Sequence, residues 1–121
     1  LSEHKEQVAL FDFIRLNEER FPILKTVFAI PNGGHRHIKV AKKMKDEGVI
    51  AGVWDIFVAT AVNEYCGLFI EMKFGKNKLS ENQEEFRENV GNAYRWEVCY
   101  SWVEAAKVLI DYLCLPKDLL Q

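Results

Sequence analysis

The sequence has only three cysteines, Cys66, Cys99 and Cys114, an odd number set far apart. They form no CxxC, and no cysteine–histidine spacing points to zinc, so neither a disulfide framework nor a zinc module is written here. They read as reduced thiols in or near the core of an intracellular protein. No run of uncharged apolar residues is long enough to cross a bilayer, which leaves no membrane role. Glu3, Lys5 and Glu6 precede any apolar segment, so the N-terminus does not read as a secretory signal. Internal repeats, low-complexity tracts and Pro/Gly/Ser-rich linkers are all lacking. The 121 residues therefore read as one domain, 1–121, long enough to bury a core. A strong charge of one sign is missing too. With a net charge of −2, any nucleic-acid surface must be basic locally.

What is present is the composition of a soluble globular protein, 49% hydrophobic and 28% charged. Ser2 caps a helix whose first turn holds Glu3 and Glu6 and whose apolar face carries Val8, Leu10, Phe11, Ile14 and Leu16. Val27–Ile30 reads as a short strand ended by the turn Pro31-Asn32-Gly33-Gly34. His35–Glu47 reads as a helix stopped by Gly48. Val53–Thr60 and Cys66–Lys73 read as strands joined by a hairpin through Asn63-Glu64-Tyr65. Ser80 caps the next helix, which Gly91-Asn92 ends. Arg95–Tyr100 is a last strand and Trp102–Leu113 a last helix. The order αβαββαβα predicts an α/β fold, a small four-stranded β-sheet flanked by helices.

Two acids stand inside apolar strands. Asp55 lies between Val53-Trp54 and Ile56-Phe57-Val58, and Glu71 ends the run Leu68-Phe69-Ile70. Alternation puts Glu71 and Lys73 on one face of their strand, with Leu68, Ile70 and Met72 facing the core. A hairpin would bring Asp55, near the start of one strand, to Glu71, near the end of the other. Paired carboxylates make a hard-oxygen site suited to Mg²⁺ or Mn²⁺. An adjacent lysine can hold a water or a phosphate oxygen. An isolated E-x-K most often just faces solvent. A buried acid, however, needs a partner or a metal.

Several segments in order resemble the VRR-NUC nucleases, the virus-type replication-repair branch of the PD-(D/E)XK superfamily. They are Ser2-Glu3-His4-Lys5-Glu6-Gln7, Ile30-Pro31-Asn32-Gly33-Gly34-His35-Arg36, Glu47-Gly48-Val49-Ile50-Ala51-Gly52-Val53-Trp54-Asp55, Ile70-Glu71-Met72-Lys73, Ser80-Glu81-Asn82-Gln83 and Ser101-Trp102-Val103-Glu104-Ala105. The resemblance spans nearly the whole chain and implies a mixed-sheet, restriction-endonuclease-like core. It implies a metal site of Asp55, Glu71 and the Met72 carbonyl, joined by Glu3, with Glu6 as the rival for Glu3. It implies Lys73 as the residue that positions or deprotonates water, and Gln83 as support for Lys73 or the phosphate. Gln7, one turn after Glu3, shares its face. The family usually has proline before the aspartate. Trp54 stands there instead, which bears on the local bend more than on the chemistry.

The resemblance further implies hydrolysis of DNA to a 5′-phosphate and a 3′-hydroxyl, and selectivity for branched DNA such as four-way junctions or flaps. It implies a homodimer of the stand-alone type, in the cytoplasm of a bacterial or phage-infected cell. The segment from His35 to Lys45 contains no acid, and Arg36, Lys39 and Lys43 follow helical spacing. With Asn32, Gly33, Gly34, His35, Lys42 and the loop residue Lys76, this is the expected DNA-binding surface. His35 and His37 lack a third histidine or a cysteine nearby, so they do not read as zinc ligands. The rival class is a non-catalytic module that binds branched DNA or assembles on it. A nuclease acting on RNA is a third reading.

Overall fold

A computed structural model describes residues 2–31 and 37–120. The expected binding residues Asn32, Gly33, Gly34, His35 and Arg36 lie outside the described residues.

Helix α1, Glu3–Asn17, begins where the Ser2 hydroxyl accepts the Lys5 amide at 3.2 Å. It buries Leu10, Phe13 and Ile14, a spacing that puts all three on one helical face. Pro22 opens a short 3₁₀ helix, Pro22–Thr26, which delivers the chain to strand β1, Val27–Ala29. Helix α2, Ile38–Asp46, is capped by His37, whose Nδ1 accepts the Lys39 amide at 3.2 Å. Strands β2, Ile56–Val58, and β3, Leu68–Met72, run antiparallel, and Val62 and Tyr65 bridge the hairpin between them. Helix α3, Glu81–Val90, carries the chain across to β4, Arg95–Cys99, which pairs parallel with β3. Helix α4, Trp102–Tyr112, follows.

Among the described residues, four strands form one mixed sheet in the order β1-β2-β3-β4, flanked by four α-helices. The sequence of elements is the expected αβαββαβα. The β2 ladder is shorter than the apolar run Val53–Thr60 suggested. Its outer partner β1 is only three residues long, and the pairing ends in single bonds from Ile30 to Asp55 and from Ala59 to Thr26.

One sheet face is wholly apolar where it meets the helices. Ile56, Val58, Leu68, Ile70 and Met72 are fully buried in a core shared with α1 and with Ala105, Ala106, Leu109 and Ile110 of α4. Each fully buried Ile, Leu or Met contributes roughly 1.5–3 kcal/mol. On the opposite face Phe57, Phe69 and Trp96 form an aromatic row, covered at one end by Phe86 of α3. Of the cysteines only Cys99 is buried. Cys66 and Cys114 are exposed, because they sit in turns at element ends. No described helix is long and apolar enough to cross a membrane.

Candidate active site

The β2–β3 register pairs Ile56 with Ile70, which sets Asp55 opposite Glu71. The two residues clasp each other across the strands. The Asp55 amide donates to Glu71 Oε1 at 3.0 Å, and Asp55 Oδ2 accepts the Met72 amide at 3.0 Å. Lys73 Nζ lies 3.5 Å from Glu71 Oε2, with its side chain only 12% exposed. The same oxygen accepts Gln83 Nε2 at 2.8 Å. The hairpin thus brings Asp55, Glu71 and Lys73 into one cluster, as the alternation of strand residues implied.

Gln83 reaches this cluster because α3 starts beside it. Ser80 and Gln83 form a capping box: the Gln83 amide donates to Ser80 Oγ at 3.2 Å, and Gln83 Oε1 accepts the Ser80 amide at 2.9 Å. With its oxygen fixed to the backbone, the Gln83 side chain presents its nitrogen outward, and that nitrogen meets a carboxylate. The contact falls on Glu71; the expected support of Lys73 is not a direct one.

Trp54, which stands where the family usually has proline, is fully buried. Its indole nitrogen donates to the Gln83 carbonyl at 3.0 Å, and its ring meets Trp96 edge-on at 4.9 Å. The tryptophan therefore ties the approach to Asp55 onto the first turn of α3. A large aromatic beside an acid in an apolar run is the only sequence trace of that tie.

The two glutamates of α1 part company. Glu6 Oε1 accepts the Trp102 amide at 2.8 Å and so satisfies the N-terminus of α4. Glu3 faces the acid pair, and its negative charge helps to raise the Asp55 pKa. Asn77, in the loop after β3, holds Glu3 from the other side, with Nδ2 3.5 Å from Glu3 Oε2. The Asn77 carbonyl in turn accepts the Tyr100 hydroxyl at 2.8 Å. Asn77 was not recognisable from sequence, since an asparagine in a polar loop carries no signal of its own.

Burial dominates the electrostatics. It raises the Glu71 pKa to about 7, aided by the Asp55 charge and opposed by the Asp55 amide and Lys73. Burial raises Asp55 as well; the Met72 amide and Lys73 pull it down and Glu3 pushes it up. Burial thus disfavours the ionised carboxylates, and a divalent cation would favour them. Among the described residues no three His, Cys, Asp or Glu groups converge closely enough to cage an ion with side chains alone. Two carboxylates suit Mg²⁺ or Mn²⁺ held largely by water. The donor set fits such an ion.

The expected DNA-binding lysines Lys39, Lys42 and Lys43 lie exposed on α2, and Lys76 is exposed in the loop after β3. Lys42 pairs with Asp46 at 2.8 Å on the helix surface, a pair both of whose members are mostly solvated. Ala41 and Met44 lie on the side of α2 away from Lys39 and Lys43, whereas Val40 falls beside Lys43.

A model of the VRR-NUC domain matches residues 6–102, a span that holds Asp55, Glu71, Lys73 and Gln83 and begins just after Glu3. A solved structure titled "VRR_NUC domain protein" is similar to this chain with a TM-score of 0.75 and 24% identity, over 96% of this chain and 91% of that one. That likeness shows the same fold. A search of curated proteins found no match.

Proposed function

The chain belongs to the VRR-NUC domain family, a family of nucleases, and on that premise we propose that it is a metal-dependent DNA endonuclease. Its substrates are branched DNAs such as four-way junctions or flaps. The observation that carries the reading is the clasp of Asp55 and Glu71 with Lys73 beside it.

Asp55 and Glu71 would hold Mg²⁺ or Mn²⁺, with the Met72 carbonyl beside them and Glu3 acting through the ion's water. When bound, the ion polarises the phosphoryl group and lowers the pKa of water. Reciprocal amide bonds fix both carboxylates before substrate arrives, so little reorganisation is needed. Gln83 holds Glu71 Oε2 from the α3 side. Lys73, shielded from bulk water, orients the attacking water or stabilises charge building on the phosphate. Lys39, Lys42 and Lys43 of α2, with Lys76, grip the DNA backbone without reading sequence. One site cuts one strand, so symmetric cleavage of a junction calls for a homodimer with twofold symmetry.

Incubation with linear, flap and four-way-junction DNAs, and one RNA control, in Mn²⁺ or in chelator tests this reading. Wild type should cut branched DNA only with metal. Lys73→Ala should lose about 10²–10³ in kcat while still binding DNA. Binding of branched DNA with no cutting in Mn²⁺ would instead establish a non-catalytic module.

A further inference from the structure

We propose that the groove between α1 and β1 receives an unpaired strand of the substrate and leads it to the Asp55–Glu71 pair. The inference rests on the nuclease reading and adds a strand-binding subsite to it.

The groove has a volume of about 580 Å³ and runs between one face of α1 and the free edge of β1. Among the described residues it is lined by two cations, Arg15 and Lys25, by His4, by Phe11 and Phe28, and by one acid, Glu18. Phe28, 45% exposed, reaches the groove at the β1 edge, while its ring rests edge-on against Phe57 at 5.8 Å on the sheet face away from α1. Arg15 lies 5.9 Å from the centre of the Phe11 ring, and its pair with Asp12, at 3.6 Å and well solvated, is weak enough to exchange for a phosphate. A half-buried ring beside cations suits a single strand, a base against the ring and phosphates on the charges.

Both walls continue along the chain toward the acid pair. His4 and Gln7 line the groove on the helix that also carries Glu3. On the other wall Ala29 is followed by Ile30, whose amide donates to the Asp55 carbonyl at 2.7 Å. A strand lying in the groove would be directed along both walls toward the Asp55 segment.

The size and edge select the occupant. The volume falls in the range of about 300–1,000 Å³ typical of small-molecule sites, room for nucleotides entering singly. An added peptide strand is disfavoured by the edge itself. Thr26, Phe28 and Ile30 turn their backbone groups to β2, and the Val27 amide is spent on the Leu24 carbonyl. Pro31 has no amide, so Ala29 alone offers both an outward N–H and an outward carbonyl.

Fluorescence anisotropy in chelator, with oligothymidylate and a blunt duplex of equal length, tests the proposal without cleavage. Arg15→Glu with Lys25→Glu, charge reversals at exposed positions, should weaken oligothymidylate binding about ten-fold or more. Phe11→Leu, which keeps the packing and removes the ring, should weaken it about five-fold or more, and Phe11→Tyr should restore it. Duplex binding should change by less than about two-fold, since its phosphate contacts lie elsewhere. The proposal is overturned if the variants bind oligothymidylate as wild type does, or if they lose duplex equally. Displacement of oligothymidylate by an acidic peptide at equal concentration would also overturn it, in favour of a protein-docking groove. Unchanged strand binding by the variants with intact Mn²⁺-dependent cutting sinks the groove alone. Groove-dependent strand binding by a wild type that cuts nothing sinks the nuclease reading alone.

Discussion

The amide of Asp55 donates to Glu71 at 3.0 Å, while the carboxylate of Asp55 accepts the amide next to Glu71 at the same distance. Each acid is thus held by the other's strand, and two negative groups stay together in a buried place where mutual repulsion would part them. Burial raises the pKa of both, joined by the Asp55 charge at Glu71 and the Glu3 charge at Asp55, and the backbone amides offset part of that rise.

Stability should fall with rising pH because of Glu71. The folded protein keeps this proton up to about pH 7, whereas the unfolded chain releases it near its ordinary 4.5. Between those values the native state binds more protons, so ionisation disfavours folding, and the stabilisation present at lower pH is lost. Melting curves in chelator should show a drop from about pH 5 to about pH 8 that Glu71→Gln largely removes. An equal drop in the variant would refute this origin.

Mn²⁺ should reverse that loss. At about a hundred times its Kd, an ion bound only by the native state stabilises by about 2.7 kcal/mol. Calorimetry at neutral pH should show a higher Tm with Mn²⁺ for wild type and a much smaller rise for Asp55→Asn or Glu71→Gln. Equal rises in all three would place the ion elsewhere.

Gln83 joins helix capping to the acid pair, and two substitutions separate those tasks. Gln83→Ala removes both and should cost about 1–2 kcal/mol with a loss of activity. Gln83→Glu retains a capping-box side chain but sets a third carboxylate against Glu71 Oε2. Its melting temperature should approach wild type in acid and fall well below it above neutrality, and its activity should be lower than wild type throughout. A pH-independent deficit would show that only the cap matters.

Glu3 and Glu6 should fail in opposite ways. Glu6→Ala leaves the Trp102 amide without its acceptor and should cost about 1 kcal/mol, with cleavage per folded molecule unchanged. Glu3→Gln removes a charge that repels Asp55, so the fold should hold while cleavage falls. Denaturation and rate measurements on the two variants decide the matter; the reverse pattern would reassign the site glutamate to Glu6.

Gly52 permits the approach of the Asp55 strand to α3. It has φ +94°, and an added Cβ would stand 2.4 Å from the Asn82 carbonyl oxygen, next to Gln83. Gly52→Ala should cost about 1–3 kcal/mol and displace the α3 N-terminus, lowering activity beyond the loss of folded protein. Gly48→Ala, at φ +103° in open space, should cost stability through backbone strain but spare the site. Equal effects on activity would contradict the close-approach argument.

The order of elements was legible because it is written in local signals. Ser2, Ser80 and Ser101 each cap the helix that follows, and alternation in Leu68–Lys73 separates core from site. The family resemblance named Asp55, Glu71, Lys73, Gln83 and Glu3. The shared position of Asp55, Glu71 and Lys73 was foreseeable once a hairpin joined their strands. The partner of Gln83, the task of Glu6 and the place of Asn77 were not, because each contact spans a long stretch of chain with no local mark.

By itself the sequence determined which residues carry charge into apolar strands, and it determined which side of its own strand each one occupies, since pleating repeats every second residue whatever the partner. The tertiary structure alone decided which acids meet, which are withdrawn from water and which are spent on capping. Those outcomes depend on strand register and on the packing of α1, α3 and α4 around the sheet, where interactions between distant residues fix both geometry and local dielectric.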